Sequence, residues 1–468
     1  MVIRKKVVLY NPRAVFWTLP LGLVAVGSAL GPEWDVRIVD ARLEQDPLRR
    51  VADEARDAVC VGMGVLTGAP IRDALAATEA VRRAAPGVPV VWGGWHPSLF
   101  PDDTVRVADA AVVGQGEVTF AELVRAYAAG ASPAGIAGVV WRDAEGVHHE
   151  AARALVDVNC LPPHDYALVP VERYFAHKKR RQLDYISSIG CRFRCAFCAD
   201  PEVYGRAWSG LAPSRVAAEL AALHKRYGFD DVAFQDETFF TDTRRVTALA
   251  EALSGAGHPF TWTATMRADQ GTRLPEDTLA ACRRAGLRRV MVGVEAGTDP
   301  MLKRIAKDIT VQQVRATADK LLRHGISAIW NFIVGFPDED EETFAAALSL
   351  ARELAAMSPD FEIPIFFFRP YPGSALSRDL ADRYPFPTTL QGWADFDYVG
   401  ATGPWVPAGR AECVDRFRFY GRLAYGRHAF PGAGSLRRLA RWRVERDFYR
   451  WPLEQRLAER LRPVAGRS

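Results

Sequence analysis

The sequence predicts an α/β protein made of two successive β-α arrays and a mainly helical C-terminal segment. Three observations carry this reading. Short apolar runs alternate with helical patterns from Val7 to about Gly130, and the alternation resumes from Asp184 to Arg369. Several strand ends carry glycine or polar residues. A C-x3-C-x2-C triplet, Cys191, Cys195 and Cys198, stands just past the first apolar run of the second array.

In the first array the expected strands are Val7 to Asn11, Asp35 to Ala41, Ala58 to Val65, Pro89 to Gly94 and Ala110 to Gly116. Helices are expected over Leu19 to Leu30, Leu48 to Arg56, Ile71 to Ala84, Pro101 to Val107 and Val118 to Ala129. This alternation predicts a doubly wound parallel sheet, which binds ligands beyond the carboxyl ends of its strands. The loops there are Gly64-Val65-Leu66-Thr67-Gly68, Gly93-Gly94-Trp95-His96-Pro97 and Gly114-Gln115-Gly116-Glu117. Glycines at three successive strand ends let a large flat or phosphate-bearing ligand approach the backbone. None of them is a G-x-G-x-x-G opening a helix after the first strand, so a dinucleotide site is poorly supported. His96 can ligate a metal, cap the following helix or bond a cofactor side chain.

Val139 to Glu150 reads as a hairpin and Leu161-Pro162-Pro163-His164-Asp165 as linker. The second array then offers strands at Tyr185 to Ile189, Asp231 to Asp236, Thr261 to Met266, Val290 to Glu295, Ile329 to Gly335 and Phe361 to Arg369. Helices fall between them, at Pro213 to Tyr227, Thr243 to Leu253, Glu276 to Ala285, Val311 to His324 and Glu341 to Met357. Six β/α units suit a partial barrel, whose chemistry would lie at the strand ends. The expected segments are 1–135, a linker with hairpin over 136–180, a core over 181–376 and a C-terminal segment over 377–468.

Three cysteines close together on one loop can each give a thiolate to one iron of a [4Fe-4S] cube, leaving the fourth iron open. A structural zinc site usually needs four ligands, and no fourth Cys or His lies nearby. The loop, with aromatic Phe197 before the third cysteine, resembles the signature of the radical S-adenosylmethionine (SAM) enzymes. The first array resembles the Rossmann- or flavodoxin-like cobalamin-binding domain that precedes many of their TIM-like (β/α)6 cores. That second resemblance rests on Leu19-Pro20-Leu21-Gly22, Gly-Gly-x-His-Pro at 93 to 97 and Gly-x-Gly-Glu at 114 to 117. Gly-Phe-Pro at 335 to 337 and Tyr-Pro-Gly at 371 to 373 extend the likeness over roughly Val7 to Leu376. There is no Asp-x-His-x-x-Gly, so base-off cobalamin without a protein ligand is expected.

The resemblance implies a cobalamin-dependent radical SAM enzyme of the methylase type, with a [4Fe-4S] cluster, SAM and cobalamin as cofactors. Cys191, Cys195 and Cys198 would hold the cluster, and Phe197, Asp236, Arg267 and Glu295 would contact SAM. Leu19, Thr67, Gly93, Gly94, His96, Gly114, Gly116 and Glu117 would contact cobalamin. Any one strand-end carboxylate could instead cap the next helix. The implied reaction uses a 5'-deoxyadenosyl radical and methylcobalamin to methylate an unactivated carbon of a natural-product, lipid or peptide intermediate. An external flavodoxin or ferredoxin would supply electrons. Oxidative cyclisation or ring rearrangement is the enzymatic alternative, and a redox or cobalamin sensor the non-enzymatic one.

At 468 residues, with 49% hydrophobic and 25% charged residues, the chain is of ordinary globular composition and long enough for two or three domains. A net charge of +4 gives no general affinity for nucleic acid. Seven cysteines with three grouped argue for a reducing compartment, and Cys60, Cys160, Cys282 and Cys413 read as buried thiols. The absence of a leader-like apolar core after Lys6, or of any membrane-length apolar run, makes a cytoplasmic location the expectation. The C-terminal segment mixes arginine and aromatics. It reads as solvated helices with an apolar side on the protein, with peripheral membrane contact as the alternative. Aromatics before Arg410, among them Trp393, Phe396, Tyr398 and Trp405, could roof the barrel mouth.

Overall fold

The computed structural model describes residues 4–396 except 256 and 258, then 403–427 and 433–461; Tyr398 lies outside the described residues. The chain forms two compact units. The first holds Met1–Phe239, Arg244–Thr261 and Pro370–Val399, and the second holds Phe240–Thr243, Trp262–Arg369 and Gly400–Ser468.

The first unit begins with a seven-stranded sheet. Its strands are β1 (Lys5–Asn11), β2 (Trp34–Asp40), β3 (Ala58–Gly64), β4 (Val90–Gly93), β5 (Ala110–Val112), β6 (Val139–Arg142) and β7 (Val147–His149), in the order β2-β1-β3-β4-β5-β6-β7. Strands β1 to β5 pair in parallel, and the β6-β7 hairpin adds two antiparallel strands at one edge. The order reverses between β1 and β3, so a crevice opens there beyond the strand ends. Val7, Val8, Leu9 and Tyr10 are all fully buried, as expected of a parallel strand covered on both faces.

One face packs Tyr10, Met63 and Trp92 against the helices Pro47–Ala55 and Ala69–Ala84. Asp46 starts the first of these by accepting the Arg49 N–H at 3.1 Å. The other face packs Leu9, Cys60 and Val91 against Leu23, Leu30, Phe120 and Leu123 of the helices Leu21–Leu30 and Gly116–Ala128. Leu390, Trp393 and Phe396, from the far end of the chain, complete the first of these cores. Trp393 and Phe396 are therefore structural residues of the first unit and do not roof a barrel. Of the scattered thiols, Cys60 and Cys282 are buried, but Cys160 is exposed on the linker and Cys413 is partly exposed.

The expected strand Tyr185 to Ile189 is two strands. β8 (Gln182–Tyr185) pairs in parallel with β11 (Asp231–Phe234), whereas β9 (Ser188–Gly190) pairs antiparallel with β10 (Trp208–Gly210). The break falls at Ser187, whose N–H and hydroxyl both turn to Asp236, at 2.7 Å each.

The second unit carries β12 (Thr261–Arg267), β13 (Leu287–Glu295), β14 (Ser327–Val334), β15 (Phe361–Glu362) and β16 (Ile365–Phe367). β12, β13 and β14 pair in parallel in that order, and β15 and β16 both pair with β14. Pro364, which has no N–H to give to a ladder, splits the expected sixth strand into these last two. Thr310 and Gln313 cap the helix Val311–Arg323 reciprocally, at 3.2 and 2.9 Å. The six expected β/α units are thus present, two strands from the first unit and four strand positions from the second. The C-terminal helices are Ala408–Tyr425, Ala433–Glu445 and Leu453–Leu461. No described helix is long and apolar enough to cross a membrane.

The role of residues 390–396 is testable by truncating one ring. Trp393→Ala should cost about 3–5 kcal/mol of stability, read as a lowered denaturant midpoint for the first unit. A surface role would leave the midpoint within about 0.5 kcal/mol.

Candidate cofactor site

The cysteine loop leaves β9 and returns through the helix Asp200–Tyr204 to β10, so a two-stranded ladder closes its neck. Gly190 ends β9 with φ +82, and a Cβ there would stand 2.4 Å from the Ala207 carbonyl oxygen. Only glycine fits that position without moving the returning arm. Within the loop the Cys198 N–H donates to the Cys195 carbonyl at 3.1 Å, and the Leu376 N–H donates to the Ala196 carbonyl at 2.8 Å.

None of the three cysteines is in a disulfide, and all three are partly exposed. Burial pushes the Cys198 thiol up to about 12, so a metal would have to displace its proton. No three His, Cys, Asp or Glu side chains among the described residues converge as a single bound ion requires. A cube gives each thiolate a separate iron and does not ask for that convergence. Three softer sulfur donors on one short loop are the right donor set for it.

The carboxylate of Asp236 is 1% exposed and accepts from the Ser187 N–H and hydroxyl and from the Ser188 hydroxyl, the last at 2.5 Å. Arg245 donates to the Ser187 carbonyl at 2.8 Å and to the Leu211 carbonyl at 2.8 Å, and so pins both arms of the neck. Burial pushes the Asp236 carboxyl up, against the pull of Arg245 and the serine donors. Asp236, expected to meet SAM, is therefore engaged in holding the loop.

Its neighbour Glu237, not singled out in the sequence, is partly buried. One carboxyl oxygen is buried without a hydrogen-bond partner. Burial, followed by the nearby Asp200 carboxylate, pushes Glu237 up to about 8. Asp200 sits behind the loop beside the Cys191 thiol, and burial pushes it up to about 6.

A cavity of about 390 Å³ opens beyond the strand ends of the first sheet, a size in the range of cofactor and drug-sized sites. Leu19, Gly93, Gly94, Gly114, Gly116 and Glu117 line it. Gly94 has φ +100, and a Cβ there would lie 3.1 Å from the Val65 carbonyl oxygen, so the wall can come this close only without a side chain. Leu19 is held by its N–H donating to Asp184 at 2.8 Å; Asp184 also pairs with Lys178 at 2.5 Å and accepts from the Gln235 amide at 3.0 Å.

Thr67 and His96 are not in the lining. They bond each other at 3.1 Å, and the His96 ring is fully buried against Phe100 and Trp393. Burial drops His96 to about 4, so it is a neutral core histidine. Leu66 and Trp95 of the same glycine loops also line the cavity, as do His164, Val203 and Tyr204, which the sequence did not point to. His164 comes from the Pro-Pro-His-Asp linker and is held neutral by burial, its pKa near 4. Tyr204 meets Trp95 edge-on at 6.0 Å. The segment just past the third cysteine thus forms part of the cavity wall.

In the second unit Glu295 has φ +70 and pairs with Lys307 at 2.7 Å. Arg267 donates to Asp269 at 3.0 Å and to the Lys307 carbonyl. The two expected SAM contacts therefore share a buried network around Lys307. Trp405 donates to the Gly335 carbonyl at 2.7 Å, so this aromatic does lie at a strand end.

The family profile "Radical SAM superfamily" matches residues 185–351 and "B12 binding domain" matches residues 13–124. An uncharacterized methyltransferase from Pyrococcus horikoshii is 32% identical over 363 residues, covering 76% of this chain and 77% of that one. The anaerobic magnesium-protoporphyrin IX monomethyl ester cyclase of Synechocystis is 25% identical, over 73% of this chain and 69% of its own. Among solved structures, the radical SAM methyltransferase TsrM from Kitasatospora setae, with cobalamin and a [4Fe-4S] cluster bound, superposes with a TM-score of 0.69. It covers 93% of this chain and 89% of its own at 19% identity, a likeness of fold.

Two outcomes test the site. Gly190→Ala should lower the iron and sulfide bound per chain to below about a tenth of the parent's, since both its backbone angle and its Cβ are refused. For Glu237, the folded chain holds a proton that the unfolded chain has lost between about pH 4.5 and 8, so stability should fall as pH rises through that window. Glu237→Gln should flatten this slope, which is at most about 1.4 kcal/mol per pH unit, in denaturation of the cofactor-free chain.

Proposed function

The chain belongs to the cobalamin-dependent radical SAM methylase-like family, and we propose that it transfers a methyl group to an unactivated carbon of a small molecule. The substrate class is a natural-product, lipid or peptide intermediate. The observation that carries the reading is the shared wall, in which Val203 and Tyr204, just past Cys198, line the glycine-edged cavity. When bound, the cluster with SAM supplies one-electron hydrogen abstraction, and cobalamin supplies the methyl group.

The chain's own part is holding and excluding. Cys191, Cys195 and Cys198 take one iron each, and Asp236 with Arg245 fixes the neck that spaces them. Glu237 receives the SAM ammonium, a cation that brings its carboxyl back to the ionised form. Leu19, Gly93, Gly94, Gly114 and Gly116 admit the flat corrin, and the apolar Leu66 and Trp95 keep water from it. The cobalamin-binding part is assigned to residues 1–135 and the radical SAM core to 181–376. Electrons come from an external flavodoxin- or ferredoxin-type protein, and the reducing demand of the cluster favours the cytoplasm.

Anaerobic incubation with SAM, reductant, cobalamin and a methyl acceptor is the test of the reaction. Methylation yields S-adenosylhomocysteine together with 5'-deoxyadenosine; 5'-deoxyadenosine alone would favour cyclisation or rearrangement, and neither product would favour a sensor. Glu237→Gln should raise the SAM dissociation constant about 10- to 100-fold, since a charge-assisted bond is worth about 1.5–3 kcal/mol. Cluster content should stay unchanged in that variant, whereas Asp236→Asn should lose cluster.

A further inference from the structure

We propose that the helices Ala433–Glu445 and Leu453–Leu461 form a docking face for anionic lipid membranes, a role beyond the cofactor chemistry. The face lies within the second unit. Arg443 builds it: its buried guanidinium donates to the carbonyls of Phe448, Arg450 and Trp451 and pairs with Glu454 at 3.1 Å, fixing the turn between the helices.

Large apolar side chains are left outside that turn. Trp451 is 73% exposed, Leu453 66% and Leu457 59%, and Leu436, Leu439 and Trp442 are exposed at helical spacing on the first helix. Residues three and four apart share one side of a helix, so these are rows and not scattered side chains.

The charge around them is mainly positive, seven arginines against three carboxylates over residues 433–457. Every carboxylate described between residues 433 and 457 is already paired, Glu445 with Arg441, Asp447 with Arg352 and Glu454 with Arg443. Arg437, Arg438, Arg446, Arg450 and Arg456 are exposed and have no carboxylate partner among the described residues. Five uncompensated arginines beside tryptophan and leucine fit the headgroup and upper acyl region of a negatively charged bilayer. A nucleic acid would satisfy the arginines and stack on tryptophan, but it would leave four exposed leucines in water.

The test reads partition and not turnover, so its failure would leave the cofactor assignment standing. The full chain, reconstituted with iron, sulfide and cobalamin, is sedimented with vesicles of phosphatidylcholine alone or with about one-third phosphatidylglycerol. Partition should be at least tenfold higher on the anionic vesicles and lost in high salt, with Trp fluorescence shifting blue on binding. Arg438→Glu, Arg446→Glu and Arg450→Glu together should lower it about a hundredfold, at about fivefold per arginine. Trp451→Ser with Leu453→Ser should lower it comparably, with the cluster absorption of both variants unchanged. Equal partition on the two vesicle types, no partition, or variants that bind like the parent would overturn the proposal. So would loss of the anionic preference in favour of single-stranded RNA, or a dimer that the same substitutions dissolve. Should the variants not fold, the parent's salt-sensitive preference and blue shift still decide it.

Discussion

A buried carboxylate governs the site. Asp236 would be costly to bury alone, because a charge removed from water needs partners to replace its hydration. It has them in the Ser187 N–H and the hydroxyls of Ser187 and Ser188, with Arg245 reaching the Ser187 carbonyl. The result is a fixed stem on which the cysteines are displayed. Since the same guanidinium holds Leu211 on the returning arm, the width of the stem is set as well as its position. The stem that carries the three cysteines is thereby fixed by polar contacts within the chain itself.

Asp184 extends this order to the cavity. Its carboxylate accepts from Leu19 at the cavity lip and from Gln235, the residue before Asp236, and Lys178 balances its charge. One buried group therefore joins the lip to the strand end that carries Asp236 and Glu237. Fixing groups before the reactants bind is how a protein lowers the orientational cost of a reaction whose hard steps belong to its cofactors.

Much of this could be read from the chain, and the limits have physical causes. The cysteine spacing and the glycines at successive strand ends are local signals, and Gly93, Gly94, Gly114 and Gly116 do line the cavity. Which of two adjacent acids finds partners depends on where a strand ends, and the break at Ser187 gave Asp236 the serine donors and left one Glu237 oxygen buried without a hydrogen bond. Thr67 and His96 sit in two glycine-rich loops but bond each other, and the His96 ring turns toward Phe100 and Trp393, the latter almost 300 positions further along the chain. No local pattern could have announced that partner. His164 was hidden for the converse reason, because two prolines marked its segment as linker while the fold brought its ring to the cavity wall.

The same late segment bears on how the protein is made. Helices Pro47–Ala55 and Ala69–Ala84 leave the ribosome about 300 residues ahead of the Leu390, Trp393 and Phe396 side chains that cover them. At ordinary elongation rates the growing chain would hold an incompletely covered apolar surface for roughly tens of seconds. Holding chaperones would have their opportunity in that interval, and a message cut short before Leu390 would yield a first unit lacking part of its own interior.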